Sequence, residues 1–375
     1  MRALSRLRRL LGPPRPAAMP QSLREAVDFN DPAAAADPFP LWAACRREGE
    51  VLHLPRSGGW FVFSYNAVKQ ALAAPEIFSN APYRQVDAVL LGEDPPGQMA
   101  VRRIVSRHFT PAATAELEPV AARAARAATL PRFDAVQEFA QPVSRAVAGA
   151  LIGFDAAALE ELGTRLKEAV SQPLPVLLAA LEGFGPRAAI YPQLLREGLD
   201  EAQARSLVRL LWLAATTTTE RVIARCVLRL AEEPCVRQAI LADRSLLGPF
   251  MEEVMRLHPP EHVLPRLCTS GTSLCGVDIP PGAPVFLCVG AANRDPAHFQ
   301  SPDELRLDRD AKRHFAFGNG IHHCLGAPLA RKVIAAAVGA LLDAAPDLRL
   351  ARPGEPPEMF ASMTALAPLR VEVET

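Results

Sequence analysis

The stretch HFAFGNGIHHCLGAPLAR, from His314 to Arg331, places two glycines before Cys324 and one glycine after it. An Ala/Leu-rich amphipathic segment follows, so the pattern predicts a glycine-rich loop that leads into the N-terminus of a helix. Unpaired amides and the helix dipole lower a thiol's pKa there and favour the thiolate that binds iron. Glycines also let the backbone lie close to a flat ring, because they carry no Cβ atom.

Two other interpretations of Cys324 remain open from this local pattern. A buried structural cysteine in a glycine-rich turn would look the same. The run His322-His323-Cys324 also contains residue types that bind zinc. Adjacent residues rarely chelate one tetrahedral ion, however, and no second pair of ligands has suitable spacing, which disfavours zinc.

The overall composition excludes several classes of partner. The chain has 375 residues, with 41 Lys and Arg against 41 Asp and Glu, so no global field draws it to nucleic acid or to an anionic membrane. Its seven cysteines are scattered and form no C-x-x-C pair, which argues against a disulfide framework and favours a reducing cytoplasm. No stretch after residue 20 has the ~20 uninterrupted apolar residues that a membrane span requires.

The N-terminal segment MRALSRLRRLLGPPRPAAMP combines arginines with a few leucines. We expect residues 1–20 to form a disordered tail, unless translation starts at Met19 rather than Met1. A targeting or membrane-surface segment is the alternative, although the apolar run is too short for a signal peptide. No repeat or low-complexity linker divides the rest, so we expect residues 21–375 to form a single domain.

Helical periodicity dominates the rest of the chain. The predicted helices cover 112–129, 138–153, 156–171, 200–233, 246–257 and 325–344. Two apolar runs around a Gly-Gly turn predict a β-hairpin over 51–64, and a second small sheet is expected between Leu264 and Leu287. The fold class is therefore mainly α with small β-sheets.

The cysteine stretch resembles the haem-binding loop of the cytochrome P450 family, whose pattern is F-x-x-G-x-x-x-C-x-G. Here the pattern reads Phe317, Gly320, Cys324 and Gly326. The resemblance covers about residues 25–375. It implies the cytochrome P450 fold, with haem b between a long central helix and the cysteine loop, and with the Cys324 thiolate as the iron ligand.

A second matching block is FMEEVMRLHPP, in which Glu253 and Arg256 lie three residues apart and can pair on one helix face. In the resemblance, this is the E-x-x-R motif of the family, completed by Arg309. The implied role is structural, because the group braces the loop that carries the cysteine.

A third block, LLWLAATTTTERVIARCVLRL from Leu210, resembles the central helix that crosses the oxygen-binding face of haem. Four consecutive threonines are unfavourable in a helix, and their hydroxyls can bond to preceding carbonyls. The resemblance implies small residues at Ala214 and Ala215 and the oxygen-activating alcohol at Thr218. Thr217 stands where the family has an acid, and Glu220 is an unlikely substitute because it lies about 200° around the helix from Thr218.

A fourth block, GEDPPGQMAVRRIVSRHFTP from Gly92, is similar to the family segment whose His and Arg hold a haem propionate. Arg102 is retained, whereas Gln98 replaces the His and supplies no charge. The resemblance implies a set of haem-contacting positions: Gln98, Arg102, Ala214, Arg266, Phe317, Gly318, His322 and Gly326.

The function implied by this resemblance is a monooxygenase that oxidises a hydrophobic small molecule with dioxygen. No flavin or iron–sulfur segment is attached, so electrons are expected from a ferredoxin and a ferredoxin reductase. The pocket is expected near Pro82–Leu91, Leu211–Ala215 and Val263–Leu264. One alternative is a haem-thiolate oxidase that performs desaturation, coupling or peroxide-driven oxidation, which the missing acid favours; another is a non-catalytic haem-binding sensor.

Overall fold

The structure, a computed structural model, describes residues 23–29, 31, 37–86, 89–169, 179–309, 313–351 and 372–374. The α-helices of this part of the chain are α1 Leu23–Ala26, α2 Phe39–Glu48, α3 Tyr65–Leu72, α4 Gly97–Ser106, α5 Leu117–Ala128, α6 Gln141–Ile152, α7 Ala156–Ala169, α8 Tyr191–Arg196, α9 Glu201–Leu213, α10 Thr219–Glu232, α11 Pro234–Ala242, α12 Leu247–Leu257, α13 Val289–Ala292 and α14 Ala327–Ala344. A π-helical segment, Ala135–Ala140, precedes α6, and a second one, Ala214–Thr218, joins α9 to α10. The predicted tail, residues 1–20, lies outside the described residues.

Short strands form three sheets in the described part of the chain. The strands are β1 Val51–Leu54, β2 Gly59–Val62, β3 Phe78–Ser79, β4 Arg132–Asp134, β5 Leu264–Cys268, β6 Thr272–Leu274, β7 Val277–Ile279, β8 Pro284–Leu287, β9 Arg349–Leu350 and β10 Glu372–Glu374. The sheet orders are β1-β2-β8-β5-β3, β4-β10-β9 and β6-β7. The fold is therefore mainly α with small sheets, as predicted.

The predicted hairpin over 51–64 is confirmed, because β1 and β2 pair in antiparallel fashion with Val51 opposite Val62. Its turn uses Gly58 at a φ of 83°, a conformation that favours glycine. The prediction of a separate sheet between 264 and 287 is wrong in part. Strand β8 pairs in parallel with β2 and in antiparallel fashion with β5, so both join the sheet of the hairpin and only β6 and β7 stand apart.

The predicted helices occur at α5, α6, α7, α9–α10, α12 and α14, with two differences. Helix α5 begins at Leu117 rather than at 112, because the hydroxyl of Thr114 and the amide of Ala113 bond to Thr110 in a preceding turn. The long helix predicted over 200–233 is interrupted by the π segment. Its start is as expected, since Asp200 accepts from the amide of Gln203 at 2.8 Å in a capping box.

The largest core surrounds α14, the helix that follows the cysteine. Its buried residues include Val333, Ile334, Ala337 and Leu341, and they pack with buried residues of α5, α10 and α12. Burying one such aliphatic side chain stabilises the fold by roughly 1.5–3 kcal/mol. This packing fixes the helix that begins just after Cys324.

A fully buried ion pair holds α12 to the segment that precedes the cysteine loop. The side chains of Glu253 and Arg256 are both 0% exposed, with Arg256 Nε donating to Glu253 Oε1 at 2.6 Å. Arg309 Nε donates to the same carboxylate at 3.1 Å, as the sequence predicts. The guanidinium of Arg256 also donates to the backbone carbonyls of Asn293 and Pro302, at 2.9 and 2.6 Å.

We predict that Glu253→Gln destabilises the protein strongly, because it leaves the guanidinium of Arg256 buried without a counter-charge. Breaking a buried pair in this way costs about 3–5 kcal/mol, measured as a lower urea midpoint of the circular dichroism signal. Glu201→Gln is the matched control, because Glu201 pairs with Arg205 on the surface, and its midpoint should stay close to that of the wild type. Equal midpoints for both variants would contradict the bracing role.

Candidate functional site

The cysteine loop has a backbone conformation that favours glycine at two points. Gly318 and Gly320 have φ angles of 67° and 68°, in the left-handed region. A Cβ atom on Gly320 would overlap the carbonyl oxygen of Leu72. The amide of Cys324 donates to the carbonyl of Phe317 at 2.8 Å. The loop is thus closed on itself and seated against the end of α3.

The side chain of Cys324 is exposed to a cavity that it lines, just before α14 begins. Burial raises the pKa of the thiol, while backbone hydrogen bonds at Gly326 and the charges of Arg102 and Arg331 oppose that shift. The expectation of a lowered thiol pKa is therefore wrong for the protein alone, because desolvation outweighs the helix terminus. A bound metal cation would favour the thiolate.

A polar cluster formed by Glu252 and Arg331 holds the ring of Phe317 in place. Arg331, in the first turns of α14, donates to both carboxylate oxygens of Glu252 at 2.6 and 3.1 Å. Its guanidinium also lies over the ring of Phe317, 4.4 Å from the centroid. Burial would raise the pKa of Glu252, but contacts with His314 and Arg331 lower it to about 2, so this carboxylate stays charged.

The predicted propionate-binding residues meet at one edge of the cavity. Gln98, Arg102, Arg266 and His322 all line it. Arg102 Nη2 also donates to the carbonyl of His323 at 2.7 Å. Gln98 differs from its predicted role in one respect, because its amide nitrogen donates to the carbonyl of Ile321 at 2.9 Å. It therefore braces the cysteine loop directly.

Two buried polar atoms at this edge have no hydrogen-bond partner within the described part of the chain: His322 Nε2 and Gln98 Oε1. Burial, together with the nearby charge of Arg266, lowers the pKa of His322 to about 4, so its imidazole is neutral. Buried polar groups normally have partners. A neutral imidazole N–H beside two guanidinium groups fits a bound dicarboxylate, and the sulfur of Cys324 lies in the same cavity. These residues fit haem.

The opposite wall is formed by the π segment and its flanking helices. Ala214, Ala215, Thr218 and Thr219 line the cavity. The hydroxyl of Thr218 donates to the carbonyl of Ala214 at 2.8 Å. The threonine hydroxyls thus bond back to preceding carbonyls, as the sequence predicts, and the helix widens where they do so.

Two residues of this helix do not reach the cavity lining. The hydroxyl of Thr217 donates to the carbonyl of Leu213 at 2.8 Å, and Thr217 is absent from the described lining. Glu220 accepts a hydrogen bond from Gln141 at 3.3 Å instead, and burial raises its pKa to about 7. The prediction that Glu220 is an unlikely substitute for the missing acid is consistent with this placement.

The remaining lining is largely apolar, with contributions from Leu90, Leu91, Val147, Leu210, Leu211 and Leu264. Of the expected pocket segments, Val263 is buried in a different core cluster with Trp42 and Phe61. Sequence reasoning missed Glu261, which lies between α12 and β5 and is the one carboxylate in the described lining. A charged residue directly after Pro259-Pro260, in an otherwise apolar connection, was the available signal.

Comparisons with known proteins give consistent results. Residues 193–344 match the sequence model of the family described as cytochrome P450. The chain is 32% identical over 326 residues to the cyclomarin C epoxidase CymV of Salinispora arenicola, covering 76% of this chain and 82% of that protein. It is 30% identical over 381 residues to the cytochrome P450 monooxygenase PikC of Streptomyces venezuelae, covering 90% and 91%. The chain belongs to the cytochrome P450 family.

The solved structures agree with this assignment. The crystal structure of CYP109E1 from Bacillus megaterium in complex with testosterone superposes with a TM-score of 0.82 at 25% identity, covering 91% of this chain and 98% of that one. Haem b is the cofactor of this cytochrome P450, and the protein is a monooxygenase of that family. None of the helices within the described ranges combines the length and the hydropathy that a bilayer span requires. In the same residues, no cluster of His, Cys, Asp or Glu forms a separate metal site.

We predict that Gly320→Ala lowers the haem content of this cytochrome P450, because the new Cβ atom would both strain the backbone and displace the loop from Leu72. Haem per protein, measured by absorbance after purification, should fall by about half or more, with a lower melting temperature. Gly163→Ala is the control, since Gly163 lies in α7 with open space around it. Full haem content in Gly320→Ala would contradict this account.

Proposed function

We propose that this cytochrome P450 inserts oxygen into a hydrophobic small molecule, using electrons from a ferredoxin and a ferredoxin reductase. The observation that carries the proposal is one cavity, lined by Cys324 on one side and Thr218 on the other, with largely apolar walls between them. The fold braces the loop that carries Cys324, as such a site requires. We also propose that residues 21–375 form a single domain.

The chain's own residues would divide the work of holding the cofactor. Cys324 would provide the thiolate to the iron, while Arg102, Arg266 and His322 would bind the propionates. Phe317, Gly318 and Gly326 would lie close to the ring on the cysteine side, with Ala214 opposite. When bound, haem supplies the iron centre that activates dioxygen.

Thr218 would handle protons at this site. Its hydroxyl donates to the carbonyl of Ala214, so its oxygen lone pairs remain able to accept a hydrogen bond from a donor in the cavity. Thr217 would have no direct part, because it does not line the described cavity. Proton supply would then depend on Thr218 together with water rather than on an acid at 217.

The electron donors would be separate proteins that bind at the surface of this chain. Arg107 and Lys332 are exposed and lie shortly after α4 and within α14. Both are available to an acidic protein, whereas Arg331 is engaged by Glu252. All seven cysteines are free, which supports a reducing cytoplasm as the location.

A hydrophobic substrate is supported by the apolar lining and by the steroid bound in the structure of the relative CYP109E1. Terpenoids, steroids, fatty acids, aromatics and peptides are therefore the panel in which to seek a ligand that changes the spin state of the ferric protein. The ligand that gives the largest change is then assayed for turnover with a ferredoxin system.

We predict that Thr218→Ala still shows the spin-state change on ligand binding. Its yield of product per electron pair should fall by about tenfold or more, with hydrogen peroxide released instead. Thr217→Ala is the matched control and should stay close to the wild type, because Thr217 makes the same type of bond to the helix backbone but does not line the described cavity. Wild-type coupling in Thr218→Ala would contradict the proton role. Turnover with peroxide but not with the ferredoxin system would favour the peroxide-driven alternative.

A further inference from the structure

Glu261 is the one carboxylate in the described lining of a largely apolar cavity, and it has no assigned task. It follows Pro259-Pro260 in the connection between α12 and β5. Its side chain is 43% accessible, and it lines the same cavity as Cys324 and Thr218. A carboxylate that loses its water when a ligand fills the cavity is costly unless it is paired and hydrogen-bonded, so its place in this lining calls for a reason.

Arg221 pins Glu261 to the central helix. Arg221 lies three residues after Thr218, and its Nη1 donates to the carbonyl of Pro260 at 2.6 Å and to Glu261 Oε1 at 3.2 Å. The two contacts fix both the backbone and one carboxylate oxygen. Glu261 is therefore held at the cavity wall by a residue that lies one helical turn after Thr218.

The second carboxylate oxygen is left open. Glu261 Oε2 has no donor within the described ranges, and it is not among the fully buried polar atoms without a partner. An ionised carboxylate accepts up to about four hydrogen bonds, so this oxygen retains capacity toward the cavity. The enclosing protein raises the pKa of Glu261, and the charge of Arg221 opposes that shift.

The charges around Glu261 favour a neutral donor over a cation. Arg221 already provides one positive charge, and Arg266 lies on the same side, where it bonds to Tyr83. An ammonium group would meet these guanidinium groups, whereas a hydroxyl or amide N–H would not. Most of the surrounding lining, including Leu211 and Leu264, offers no polar group.

We propose that Glu261 is a substrate anchor, whose open oxygen accepts a hydrogen bond from a hydroxyl or amide N–H on an otherwise apolar substrate. This inference rests on the proposed function, since it assigns the substrate class of the same cavity. Glu261 would orient the substrate relative to Thr218, and Arg221 would be a positioning residue that acts through it.

Alkylimidazoles test this proposal without knowledge of the substrate. Their ring nitrogen binds ferric haem iron with a spectral shift, and tails of graded length then extend into the cavity. Each tail is made in matched forms that end in hydroxyl or in methyl ether, and dissociation constants come from spectral titration of the full-length haem-loaded protein. At the length that reaches Glu261, the hydroxyl form should bind about tenfold to a hundredfold more tightly.

Variants identify the partner of the hydroxyl. Glu261→Gln keeps an acceptor without the charge and should lower the preference for hydroxyl, and Glu261→Leu should abolish it. Glu220→Gln is the matched control, because that carboxylate is engaged with Gln141, and its preference should equal that of the wild type. If Glu261→Leu proves unstable, Glu261→Gln alone decides, and an unchanged preference in it overturns the proposal.

The remaining outcomes also decide the question. Equal binding of hydroxyl and ether tails at every length overturns the inference while leaving the proposed function intact. Tightest binding of a carboxylate tail would assign the anchor to Arg221, and tightest binding of an ammonium tail would exclude a neutral donor, so either overturns it. If imidazole itself gives no spectral shift, the proposed function fails, and this inference fails with it.

Discussion

The buried ion pair between Glu253 and Arg256 is the constraint from which the position of Cys324 follows. Removing two charges from water is costly, and the pair is tolerated only because other hydrogen bonds satisfy it. Arg256 therefore also donates a hydrogen bond to the carbonyl of Asn293. The side chain of Asn293 in turn accepts a hydrogen bond from the amide of Phe315 at 2.7 Å. Asn293 therefore links the ion pair directly to Phe315, at the start of the cysteine loop.

The two sides of the cavity are built on different physical terms. The cysteine side is rigid, because glycine backbone, a loop hydrogen bond and the Glu252–Arg331 pair each fix it. The opposite side is a helix in which hydroxyls compete for backbone carbonyls. That competition opens the helix at Ala214–Thr218 and turns Thr217 away from the cavity. The threonine at 217 is therefore part of the π segment and does not line the described cavity.

Much of the fold could be predicted from the sequence, since the helices follow from periodicity and the cysteine loop from the spacing of its glycines. The failures have a common cause. Strands β5 and β8 join the hairpin through a parallel pairing of residues far apart in sequence, which no local pattern encodes. The thiol pKa was mispredicted for a related reason, because a local helix dipole is visible in the sequence whereas desolvation by distant residues is not.

In the candidate site too, some residues could be placed from the sequence motif, whereas others depend on contacts that form only on folding. Arg266, His322 and Thr218 line the cavity where the family motif implies. Gln98 and Glu261 depend on contacts with Ile321 and Arg221, and these contacts exist only after folding. A substituted motif residue thus reveals that its role has changed, but its new partner has to be read from the structure.

The absorption spectrum of the reduced, carbon monoxide-bound protein tests the central claim most directly. If the thiolate of Cys324 binds the haem iron, the wild type will show the long-wavelength Soret band of thiolate-ligated haem. Cys324→Ser will lack that band, while Cys235→Ser, which alters an exposed cysteine, will retain it. A wild-type spectrum without the long-wavelength band, or an unchanged spectrum in Cys324→Ser, would contradict this account.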